Sequence, residues 1–87
     1  MYFIVLSKFR RGASKEATSK TDKIIKDKPQ GVKVLQAYWT LGRYDSVFII
    51  EAPNEKAAMS VLLGFGDSLA TETLIAIPRD QALKLIK

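Results

Sequence analysis

The chain has 87 residues, 47% of them hydrophobic and 26% charged, with a formal net charge of +5. That length makes one small domain with a modest core, over residues 1–87, and the balance is that of a globular chain, not a disordered one. With neither cysteine nor histidine, disulfides and thiolate nucleophiles are excluded, and the usual zinc, haem and triad chemistries lose their ligands and bases.

The acids are scattered and form no calcium loop, so neither a metal nor a cofactor is expected. No apolar run approaches the ~18–20 residues of a membrane span. In the opening MYFIVLSKFRR the basic residues follow the apolar run, the reverse of a secretory signal. A cytoplasmic protein without a membrane partner is expected. The charge is uneven: residues 8–33 hold nine Lys or Arg against three acids, and the rest holds five against six.

YFIVLSKF (2–9) is β-branched and aromatic and reads as the first strand. Ser14 can cap a helix running to Lys28, with Ala17, Thr21, Ile24 and Ile25 on one face and lysines elsewhere. Pro29 and Gly31 end it. VKVLQAYWTL (32–41) and DSVFIIEA (45–52) read as strands joined by a tight turn at Gly42. Asn54 opens a helix over about 55–65, with Ala58, Val61, Leu62 and Phe65 as its apolar stripe. LATETLIAI (69–77) is a fourth strand, and RDQALKLIK a short closing helix.

The order predicts an α+β, ferredoxin-like βαββαβ fold with a short C-terminal helix and a four-stranded antiparallel sheet. Helices cover one face of such a sheet, so the other should alternate with polar residues. Instead Tyr2–Leu6, Val47–Ile50 and Leu74–Ile77 run without a polar break. The second face therefore needs a dry partner, and a homodimer built sheet to sheet is expected.

With Gly42 and Arg43 as the centre of a type II′ hairpin, Leu41 faces Tyr44. Leu35, Ala37, Trp39, Leu41, Tyr44, Phe48 and Ile50 then share the helix-packed face. Val34, Gln36, Tyr38, Thr40, Asp45, Val47, Ile49 and Glu51 share the other. Tyr38, Thr40, Asp45 and Glu51, joined by Glu72, make a polar cluster on a half-buried surface, as a small-molecule pocket requires. The same cluster supplies Asp45, Glu51 and Glu72 as candidate acids or bases for a cofactor-independent enzyme, an isomerase or a monooxygenase-like one. The competing reading is that these groups satisfy one another at a dimer rim. Trp39 reads as core packing, with stacking as the alternative. Lysines of the first helix offer a nucleic-acid surface, but a solvated helix face accounts for them better, so nucleic acid is not the expected partner.

YWTLGRYD, EAPNEKAA and TETLIAIPRDQA together resemble the GYD-domain family, named for the turn here formed by Gly42, Tyr44 and Asp45. The resemblance spans residues 2–87 and implies a dimeric α/β barrel of ferredoxin-like subunits. The effector domain of leucine-responsive regulators is similar in its own Gly-x-Tyr-Asp turn and Thr-x-Thr strand. By that analogy Gly42, Tyr44, Asp45, Thr71 and Thr73 would line an intersubunit site for a small metabolite, and Arg43 of the same turn is a further candidate. The fold is also similar to that of antibiotic-biosynthesis monooxygenases and muconolactone isomerases, which need no metal. Fold-level analogy alone does not decide among these activities.

Overall fold

The computed structural model describes residues 1–86. Four strands, β1 (Tyr2–Phe9), β2 (Lys33–Trp39), β3 (Ser46–Glu51) and β4 (Leu69–Ala76), alternate with α1 (Lys15–Asp27) and α2 (Glu55–Leu63), and α3 (Arg79–Leu83) follows β4. They form one antiparallel sheet in the order β2-β3-β1-β4, the ferredoxin-like arrangement expected from the element order. No helix among the described residues is long and apolar enough to cross a membrane.

Both long helices begin where a side chain can satisfy an orphan N–H. Ser14 Oγ accepts from the Ala17 amide at 3.2 Å, and Asn54 Oδ1 from the Ala57 amide at 2.9 Å. Helix α1 ends on Lys28 in the left-handed region, at φ 47°, and a 3₁₀ turn over Pro29–Gly31 leads into β2. The core lies between the sheet and one helical layer: Phe3 and Val5 of β1 and Ile50 of β3 pack with Ala57, Ala58 and Val61 of α2, plus Phe65 and Leu69. Removing a side chain of this kind from water stabilises by roughly 1.5–3 kcal/mol. The two helices contribute unequally. α2 buries three residues, whereas α1 buries only Ala17.

Register assigns each residue to a face. On the helix side, Trp39, Ser46, Ser7 and Thr71 form one row across the sheet, and Ala37, Phe48, Val5 and Thr73 form the next. On the other side the rows are Tyr38, Val47, Leu6 and Glu72, then Gln36, Ile49, Ile4 and Leu74. The expected partition holds for most of β2 and β3 and fails at three places. A bulge between Val34 and Gln36 turns Val34 against the core and leaves Leu35 48% exposed. An extra residue in one strand reverses which side chains point inward beyond it. Leu41, expected in the core, is fully exposed at the tip of the turn. Tyr44, also expected on the helix side, crosses to the open face.

Candidate functional site

The β2–β3 connection is wider than a two-residue hairpin, because β2 stops at Trp39 and β3 starts at Ser46. Gly42 has φ 121°, while a Cβ built there would touch nothing within 4 Å. Backbone conformation, not space, therefore calls for glycine. Two bonds clamp the base of the turn: the Thr40 amide donates to the Asp45 carbonyl at 2.9 Å, and Thr40 Oγ1 donates to the Tyr44 carbonyl at 2.6 Å.

Asp45 joins the turn to β1. Its amide donates to the Ser7 carbonyl at 2.8 Å, and its Oδ2 accepts from the Phe9 amide at 2.8 Å. The carboxylate thus takes the place of the strand carbonyl that a continuing β3 would have offered. Charged acceptors make the stronger bonds of this type. One oxygen of Asp45 and the Thr40 hydroxyl are therefore committed to architecture.

Tyr44 behaves differently. Its hydroxyl donates to Glu72 on β4, and the Arg43 guanidinium lies 5.6 Å from the centre of its ring. The hydrogen bond to Glu72, reinforced by that carboxylate's negative charge, raises the Tyr44 pKa above the ordinary tyrosine value; Arg43 opposes the shift. The phenol donor and its carboxylate acceptor are held together above the bare face of the sheet.

The expected site residues do not converge on one point. Tyr38 shares a row with Glu72 but stands three strands away, about 14 Å at normal strand spacing. Glu51 pairs with Tyr2 and Lys33, four residues along the strands from the Tyr38 row, or about 13 Å. Thr71 and Thr73 face the helix side, opposite to Glu72, beside the edge of α2. Of the candidate acids and bases, Glu72 alone has a partner hydroxyl that is not part of the backbone clamp. No group of carboxylates suited to a metal occurs among the described residues.

One region was undervalued in the sequence. Trp39 sits on the helix side yet is 65% exposed, its ring edge-on to Phe9 at 5.5 Å between centroids. A half-covered tryptophan beside a lysine-rich, apolar-poor helix is the signal that was available.

The Gly42, Tyr44 and Asp45 geometry is the turn after which one family is named, and the family model for the GYD domain matches residues 3–86. The chain belongs to the GYD domain family. The match takes in both long helices and, but for Tyr2, all four strands of this GYD domain, including the Thr-Glu-Thr segment that supplies Glu72 to Tyr44. Neither the curated proteins nor the solved structures contain a match to the chain.

Proposed function

We propose that this GYD domain works as a homodimer that holds a small polar molecule at the turn end of its sheet-to-sheet interface. The observation that carries the reading is the sheet face opposite α1 and α2. Its centre is Ile4, Leu6, Val47, Ile49 and Leu74, and its margins are Tyr38, Gln36, Glu51 and the Tyr44–Glu72 pair. An apolar centre with a polar rim is the anatomy of a protein interface. Covering it with a second copy would take these side chains out of water at the ~10 Å spacing of stacked sheets.

The rim supplies the binding chemistry. Glu72 keeps acceptor capacity beyond its bond to Tyr44, and the Tyr38 hydroxyl both donates and accepts. Desolvation by the second copy would strengthen each of these bonds. Native mass spectrometry of the untagged protein, as purified, tests both parts. A dimer with a discrete added mass, lost in Glu72→Gln, is expected. A bare dimer that no metabolite extract loads would remove the ligand and keep the assembly. A monomer at micromolar concentration would remove the assembly.

A further inference from the structure

Helix α1 closes over the sheet only in part, with Ile24 packed against the core. Among its residues only Ala17 is buried, and Ile25, on the face meant for the core, is 43% exposed. Beneath it lies a cleft of about 190 Å³, walled by the aromatic side chains of Phe9, Trp39 and Phe48. An apolar cavity of about 150 Å³ is enough to take up benzene. The cleft therefore has room for one six-membered ring.

Its polar groups are strongly biased. Thr18 Oγ1 donates its proton to the carbonyls of Ser14 and Lys15, and Thr21 Oγ1 to that of Ala17, so each oxygen has only lone pairs to offer. Ser46 stands at the floor, its hydroxyl 2.7 Å from that of Ser7. The Ser7 hydroxyl also lies 3.3 Å from the Ser46 carbonyl, so the two serines pair with each other. Asp22 adds a carboxylate that no salt bridge holds among the described residues. The Trp39 indole N–H is the exception to this run of acceptors. No lysine or arginine lines the cleft, although α1 carries Lys15, Lys20, Lys23 and Lys26.

Aromatic walls suit an apolar body, and a rim of hydroxyl oxygens and one carboxylate matches an ammonium group. We propose that the cleft between α1 and the sheet is a binding site for an organic cation, a protonated amine on a single-ring or similarly compact apolar body. The apolar body would lie between Trp39, Phe48 and Ile25, and the ammonium would meet Asp22, Thr18 and Thr21. This site shares no residue with the open face, so it stands or falls independently of the homodimer.

Trp39 is the single tryptophan of the chain, which makes its emission a direct reporter. The folded full-length protein is titrated with benzylammonium, benzyl alcohol and benzoate, to about 10 mM and at fixed ionic strength, because so small a ligand binds weakly. Benzylammonium is expected to change the emission saturably, with benzoate inert and benzyl alcohol at least about fivefold weaker. Asp22→Asn should weaken benzylammonium by about fivefold. Ala37→Leu, an exposed position at the mouth, should fill the cleft and abolish the response. Circular dichroism confirms that both variants fold. Equal binding of the three probes, an unchanged affinity in Asp22→Asn, or no saturable response to any of them would overturn the proposal.

Discussion

The two faces of this sheet are nearly equal in hydrophobicity and opposite in circumstance. Phe3, Val5 and Ile50 on one face are buried beneath the helical layer. Tyr2, Ile4, Leu6 and Ile49 lie between them along the same strands, only half-buried, on the face opposite the core. Burial energy is set by what covers a side chain, not by its identity. The same aliphatic residue therefore contributes more on the covered face than on the bare one.

The sharpest test of that difference pairs neighbours in one strand. Phe3→Ala should cost about 3–5 kcal/mol in urea unfolding, because it opens a cavity in the helix-packed core. Ile4→Ala, one residue on, should cost less than about 1 kcal/mol in dilute monomer. Its cost should grow with protein concentration if the bare face pairs with a copy. Equal and concentration-independent losses would erase the distinction between the faces.

A charge placed at the centre of the bare face probes assembly more directly. Ile49→Lys is expected to leave the fold intact while light scattering shows the dimer falling to monomer, since an unpaired ammonium cannot be buried between sheets. A dimer that persists in this variant would place its interface elsewhere.

The turn links the faces, and its one acid, Asp45, should act through structure. Asp45→Ala strips the Phe9 amide of its acceptor and should cost about 1–3 kcal/mol, with Asp45→Asn recovering part of the loss. Calorimetry that finds Asp45→Ala neutral would contradict the clamp described here.

The smallest effect is spectroscopic. Tyr44 should ionise above the ordinary tyrosine range, and Glu72→Gln should bring its titration back toward it. Its folded-state pKa lies above the unfolded value of about 10, so the contact's contribution is fully present below that value. The contribution is lost as pH rises through the folded-state pKa. Tyrosinate absorbance followed against pH, in the native chain and in Glu72→Gln, reads this directly. Coincident curves would mean that the pair does not persist in solution.

Much of the fold was legible in the chain because its signals are local. Ser14 and Asn54 announce their helices by a side chain that reaches only three residues on, and both cap as expected. Period and breakers placed all four strands within a residue or two, and the pairing of Trp39 with Ser46 followed from the turn. The bulge was not legible. Val34 and Leu35 are both apolar, so nothing in the local pattern says which one yields.

The candidate site was legible only as a list of residues. Tyr38, Thr40, Asp45, Glu51, Glu72, Thr71 and Thr73 were singled out as polar groups on strands, and alternation alone decides their faces only while the ladder stays regular. Tyr44 leaves that alternation, because the ladder ends at Ser46 and its side chain is free to cross β1 toward Glu72. The length of the chain, its residue chemistry and its hydrophobic periods determined the ferredoxin-like order and the surplus of apolar sheet surface. Tertiary structure alone decided that Asp45 would finish a ladder, that Tyr44 would meet Glu72, and that α1 would bury only Ala17. Those outcomes depend on contacts between residues far apart in sequence, where the energy lies in which groups are brought together, not in what each prefers by itself.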